Sequence, residues 1–279
     1  MKILRTPESL RAALKEHRIK QIGFVPTMGY FHEGHLSLMK EAKLDNDITV
    51  VSIFVNPLQF GPNEDLDKYP RDESRDTLLA EEQGIDYLFI PTVESMYPHK
   101  MHVSLTMNSR TDVLCGASRP GHFDGVITVL AKLFNIVQPD KVYMGLKDAQ
   151  QFAVVQAFCK DLNFPLELIG VPTVREEDGL AKSSRNVFLS DAERNEASAI
   201  IKSLKRGQAL AEAGEQDTFV ITSIVKESIE KETTGTIDYV ELYRYPELTI
   251  TDELSGKVIL AAAVKFSNAR LIDNVIFNV

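Results

Sequence analysis

Gly23-Phe24-Val25-Pro26-Thr27-Met28-Gly29-Tyr30-Phe31-His32-Glu33-Gly34-His35 passes from an apolar run through a turn into a helical pattern. Ile22 to Val25 suits a strand buried on both faces, and the spacing predicts a helix that begins near His35 and carries its apolar positions over Leu36 to Leu44. Strand, turn and helix in this order make a phosphate-site layout. In an open parallel sheet, ligands sit beyond the carboxyl ends of the strands, where a helix N-terminus offers N–H groups and a positive dipole end to an anion. Gly29 and Gly34 let backbone approach such a ligand, and His32 and His35, three residues apart, can both face it.

The same alternation continues outward. Ile48 to Val55, Tyr87 to Ile90, Val142 to Met144 and Leu166 to Val171 read as further buried strands, separated by helical patterns over Arg75 to Glu82, Val126 to Val137 and Phe152 to Leu162. Strands that alternate with helices imply right-handed crossovers and a parallel sheet. After about Asn186 the pattern changes. Ser190-Asp191-Ala192-Glu193 fits a capping box opening a long helix toward Gly214; a second helix covers roughly Thr218 to Lys231, and Asp238 to Tyr243, Val258 to Phe266 and Leu271 to Phe277 read as three strands.

Composition narrows the function classes. A net charge of −9 argues against a nucleic-acid surface, which needs a clustered basic face. No apolar stretch is long enough to span a membrane, and the N-terminus lacks the apolar core of a signal peptide, so the chain is placed in the cytoplasm, away from membranes. The two cysteines, Cys115 and Cys159, form no C-x-x-C pair and read as reduced, partly buried thiols.

Four segments carry chemistry. Histidines at His32 and His35 can donate to phosphoryl oxygens and, when protonated, stabilise charge that builds up there; a helix cap beside a surface residue, or half of a metal site, are the alternatives. Zinc is disfavoured, because the spacing is not i, i+4 and no third ligand is evident. At the end of the second strand, Asn56-Pro57-Leu58-Gln59 stops the ladder with proline and leaves two amides, which both donate and accept, a fit to hydroxyls and a carboxylate. Gly145-Leu146-Lys147-Asp148 repeats strand, turn and helix with a mobile cation; Asp148 can orient it, hold ribose hydroxyls or place magnesium through water. Lys182-Ser183-Ser184-Arg185 is a polar loop whose hydroxyls and bidentate guanidinium suit a triphosphate, or else a plain linker. Arg119 is a further candidate anion contact, while His17, His99 and His102 read as surface residues.

These residues also carry a resemblance. Pro26-Thr27-Met28-Gly29 running into His32-Glu33-Gly34-His35 resembles the H-x-G-H signature of nucleotidyltransferase-like α/β enzymes, and in particular the pantoate-beta-alanine ligase family. Phe54 to Gly61, Arg119 to Val126, Gly145 to Gln151, Asp178 to Asn186 and Arg270 to Asn274 agree with that family in order along the whole chain.

The resemblance implies an α/β fold: a Rossmann-like parallel-sheet domain over 1–175 that binds ATP and pantoate, and a smaller α+β lid domain over 176–279 with helices and a three-stranded antiparallel sheet. It implies an ATP site made of Met28, Gly29, Tyr30, Phe31, His32, Glu33, Gly34 and His35, of Gly145, Leu146, Lys147 and Asp148, and of Val174, Lys182, Ser183, Ser184 and Arg185. His35, His32, Lys147 and Arg185 are the expected catalytic groups, with Gln59 touching both pantoate and beta-alanine, Gln151 touching pantoate, and Asn56 beside them. ATP is then a substrate, Mg2+ accompanies it with ligands unassigned, and the expected assembly is a homodimer. Lys182 departs from the methionine or leucine more usual before the two serines, which leaves a backbone contact to adenine intact and removes a side-chain one. The competing classes are a nucleotidyltransferase that stops after transferring a nucleotide, and an ATP sensor without turnover.

Overall fold

The structure, a computed structural model, describes residues 1–61, 64, 66–251 and 254–279. In chain order its strands and helices are β1 (Lys2–Leu4), α1 (Pro7–Leu14), β2 (Ile22–Thr27), α2 (Glu33–Asp45), β3 (Ile48–Ile53), α3 (Glu73–Glu82), β4 (Tyr87–Phe89), α4 (Val93–Met96), α5 (Leu114–Ser118), α6 (His122–Val137), β5 (Lys141–Gly145), α7 (Ala149–Asp161), β6 (Glu167–Val171), α8 (Asp191–Glu196), α9 (Ala199–Glu212), α10 (Thr218–Glu232), β7 (Thr236–Arg244), β8 (Lys257–Lys265) and β9 (Arg270–Asn278). They fall into two compact units, one of Met1–Asn108, Arg119–Leu146 and Val154–Pro172, the other of Ser109–Ser118, Lys147–Ala153 and Thr173–Val279.

The first unit is built on a six-stranded sheet in the order β1-β4-β3-β2-β5-β6, every neighbouring pair parallel. Phe24, Val25, Val50, Val51 and Leu88 have no exposed surface, which is what a sheet covered on both faces requires of its central strands. From β2 the chain steps to β3 and β4 on one side and then returns to place β5 and β6 on the other. The reversal lies between β2 and β5, so their carboxyl ends flank the crevice where open α/β sheets hold ligands. The parallel sheet expected from the alternating pattern is therefore present.

The second unit carries the antiparallel sheet β7-β8-β9, with β8 central and buried from Val258 to Val264. Leu204 of α9 and Val225 of α10 pack with Val258 and Leu260 in its core. The single long helix expected after Ser190 is corrected to two. α8 and α9 are separated at Ala197 and Ser198, where the Ile200 amide bonds the Ala197 carbonyl at 3.3 Å, a tighter three-residue rung. Ser198 is buried, and its hydroxyl accepts from the Lys202 ammonium at 3.1 Å. No helix among the described residues is long and apolar enough to cross a membrane.

Candidate active site

The turn after β2 is shaped by two successive left-handed residues, Gly29 at φ +85° and Tyr30 at φ +53°. α2 then begins at Glu33, two residues before the predicted start, because His32 is its cap. The Gly34 amide donates to His32 Nδ1 at 3.1 Å, and the His32 amide donates to His35 Nδ1 at 3.3 Å. This is a capping box made of two imidazoles in place of serine and glutamate. Both Nδ1 atoms accept from backbone N–H, so each neutral ring carries its proton on Nε2. The rings lie 4.2 Å apart between centroids, and Phe31 supports His35 at 5.6 Å. Gly34 makes the fold-back possible, since a Cβ there would meet His32 Cε1 at 2.8 Å.

β3 ends on the amide pair. Asn56 and Gln59 are buried, with Asn56 Nδ2 donating to Gln59 Oε1 at 3.2 Å and to the Gly125 carbonyl at 3.0 Å. Asn56 Oδ1 accepts from the Tyr97 hydroxyl at 2.9 Å, and burial raises the Tyr97 pKa, keeping that phenol protonated as a donor. Gln59 Nε2 points to Met28 Sδ at 3.1 Å, which joins this strand end to the turn after β2. The Gln59 carbonyl lies 2.8 Å from His122 Nδ1, and His122 Nε2 lies 3.1 Å from Arg119 Nη1. A carbonyl only accepts and a guanidinium only donates, so His122 is a neutral Nδ1–H imidazole. Arg119 also grips Glu64 at 2.7 and 2.5 Å, and its hydrogen bonds hold that carboxyl below the usual carboxylate range.

In the second unit, Lys147 and Ser183 line one pocket together with Asn186, Ile200, Leu271 and Asp273. The Lys147 carbonyl accepts from Asn274 Nδ2 at 2.9 Å. Behind it, Asp273 takes a two-pronged bond from Arg175 at 2.7 and 3.0 Å, with the carboxylate buried. Ser183 caps a short 3-10 turn over Ser184–Phe188 by accepting from the Arg185 amide at 3.3 Å. The Lys182 amide donates to the Val174 carbonyl at 2.9 Å, while the Lys182 ammonium pairs with Glu176 at 2.7 Å. The side chain that departs from the family pattern is thus engaged by its own hairpin. Gln151 is half-buried beside Gln150, and Gln150 is the structural amide of the two, bonding the Gly116 amide and the Arg110 and Val113 carbonyls.

Within the first unit, Met28 to His35, Asn56, Gln59, Gly145 and Leu146 therefore follow the carboxyl ends of β2, β3 and β5. Lys147, Asp148, Gln151, Val174 and Lys182 to Arg185 belong to the second. Sequence reading missed Asp76, Arg75 and Tyr97, and it gave no holding role to His122, Asp273 and Asn274, although it singled out the segments that contain them. Their partners are mostly backbone atoms tens of residues away, which leave no local pattern. His17, read as a surface residue, is corrected to half-buried, its Nε2 2.8 Å from the Tyr87 hydroxyl. Cys115 and Cys159 are free thiols, as expected.

A parallel α/β sheet with a histidine-capped helix at its switch point and an amide pair at the neighbouring strand end defines an α/β enzyme of the H-x-G-H type. The family model described as Pantoate-beta-alanine ligase matches residues 2–276. A protein named pantothenate synthetase from Bacillus pumilus (strain SAFR-032) is 59% identical over the whole of this chain and 97% of its own length. A crystal structure of pantothenate synthetase from Thermus thermophilus superposes with a TM-score of 0.93 at 43% identity, covering 99% of both chains. Another, of the Francisella tularensis pantoate-beta-alanine ligase complexed with beta-gamma ATP and beta-alanine, gives 0.80 at 32% identity over 99% of this chain and 97% of that one. The chain belongs to the pantoate-beta-alanine ligase family, as its motifs led us to expect, and is an enzyme of that kind.

Proposed function

We propose that this chain condenses (R)-pantoate with beta-alanine to pantothenate through a pantoyl-adenylate. A pantoate carboxylate oxygen attacks the α-phosphorus of ATP and pyrophosphate leaves. The beta-alanine amine then attacks the acyl carbon, and AMP departs with the bridging oxygen. The observation that carries this reading is the imidazole capping box: with Nδ1 committed to backbone N–H, His32 and His35 have Nε2–H as the donor for phosphoryl oxygen. His35 is assigned first place among the catalytic groups.

The other assignments follow the same chemistry. Lys147 and Arg185 balance charge on the triphosphate, Ser183 and Ser184 hold its oxygens, and Met28 to His35, Gly145 to Asp148, Val174 and Lys182 complete the ATP contacts. Gln59, Asn56 and Gln151 take pantoate, with Gln59 also meeting beta-alanine. The site needs no nucleophilic serine or cysteine, because alignment and charge stabilisation serve phosphoryl transfer. Mg2+ is expected to accompany ATP, with its protein ligands unassigned. The reading extends to a homodimer, on the strength of the family resemblance, and to the cytoplasm, as expected from the sequence.

The test is to incubate the protein with ATP, magnesium and pantoate and to measure pyrophosphate, then AMP, before and after adding beta-alanine. Pantoate-dependent pyrophosphate followed by beta-alanine-dependent AMP is expected. A nucleotidyltransferase or a sensor gives no beta-alanine-dependent AMP, and that outcome would remove the assignment.

A further inference from the structure

One buried carboxylate has no part in the chemistry above. Asp76, on α3, is 1% exposed, and its oxygens accept from two consecutive amides of the turn before α2. Tyr30 N–H donates to Oδ2 at 2.6 Å and Phe31 N–H to Oδ1 at 2.7 Å. Each oxygen takes one donor. The preceding residue of α3 adds a third grip: Arg75 Nη1 donates to the Phe31 carbonyl at 2.8 Å, and its guanidinium lies 5.7 Å from the centre of the Tyr30 ring.

The gripped turn is an unfavourable one. Tyr30 sits at φ +53°, a conformation that is costly for a non-glycine residue and persists only when its surroundings impose it. Gly29 packs so close that a Cβ would lie 2.9 Å from Asp76 Oδ2. Burial pushes the Asp76 pKa up, and the two amides oppose that shift. A carboxylate kept in such a place is a poor source of stability compared with an apolar filler of the same volume. Its geometric effect is specific: Phe31, held by both residues of α3, is followed directly by His32, whose ring caps the next helix.

We propose that Asp76, assisted by Arg75, is a positioning residue for the ligase reaction, fixing the Gly29–Phe31 turn so that His32 and His35 meet the phosphate in one geometry. The inference rests on the ligase reading above. Asp76→Asn keeps the shape but turns an NH2 toward one of the two amides, a donor facing a donor. In the pantoate-dependent pyrophosphate assay, kcat per active site, with active sites counted by equilibrium ATP-binding stoichiometry, is expected to fall about 100-fold, as for a catalytic group displaced by roughly an ångström, with KM for ATP little changed.

Arg75→Ala, on an exposed position of α3, covers the case in which the buried variant fails to fold, and is expected to lower kcat per active site about tenfold by the same misplacement. A merely structural role predicts fewer active sites with unaltered kcat at each; that result, or parental kcat in both variants, overturns the proposal. If the parent itself releases no pantoate-dependent pyrophosphate, the ligase reading fails and the positioning role falls with it. If the parent is active and both variants match it, only the positioning role fails.

Discussion

Gly34 shows how much of this site is decided by single residues. Its lack of a side chain admits the His32 ring, and that ring closes the helix start and fixes its own tautomer. Stability and activity therefore pull apart at this position. Gly34→Ala adds a good helix former in the first turn of α2, which by propensity favours the helix by up to about 1 kcal/mol. The same methyl drives the His32 ring out of its cap. The variant is expected to melt no lower than a few degrees below the parent and to lose about 10- to 100-fold in kcat, as measured by calorimetry and by pyrophosphate release. Parental kcat in the Gly34→Ala enzyme would show that the folded-back ring is not the active arrangement. The histidines themselves were legible in the sequence, because H-x-G-H after a buried strand is a local pattern. Their tautomer was not: it depends on which N–H reaches which ring nitrogen.

Elements were legible in proportion to their length and burial. β2 and β3 announce themselves as apolar runs, and α6 as a long apolar helix, whereas β1 has three residues and α4 has four, too short for periodicity to register. α1 was missed although Thr6 and Pro7 are a recognisable start, the threonine accepting from Ser9 N–H at 3.2 Å. The capping box at Ser190 was read correctly, but its second task was invisible. Glu193 accepts from the Ser190 amide and hydroxyl through one oxygen, and through the other from the amide and hydroxyl of Ser267, between β8 and β9.

Those donors, the Ser190 amide foremost, hold the Glu193 pKa at about 2. A depressed carboxyl stabilises the fold above its unfolded pKa, near 4.5, and that contribution is lost as pH falls through the folded value. Glu193→Gln should therefore lower the melting temperature at pH 7, with the difference from the parent shrinking between about pH 4.5 and pH 2. A difference constant across that range, followed by circular dichroism melts, would mean that the carboxylate's charge is not what ties α8 to the β8–β9 turn.

At the scale of the whole molecule, the parallel sheet, the antiparallel sheet and the family were all legible, because the motifs recur in order along the chain and each follows a recognisable strand or loop. The chemistry at phosphorus requires donors that do not react. In the proposed reaction, His32 and His35 would present Nε2–H, and the buried amides Asn56 and Gln59 would suit a hydroxy acid better than a bare phosphate. The central proposal is that the pantoate carboxylate attacks the α-phosphorus. Pantoate labelled with ¹⁸O in both carboxylate oxygens tests it directly. Turnover with ATP and beta-alanine, read by mass spectrometry, is expected to place one labelled oxygen in AMP and leave the other in the amide carbonyl of pantothenate. Label in inorganic phosphate with release of ADP, or AMP free of label, would contradict it.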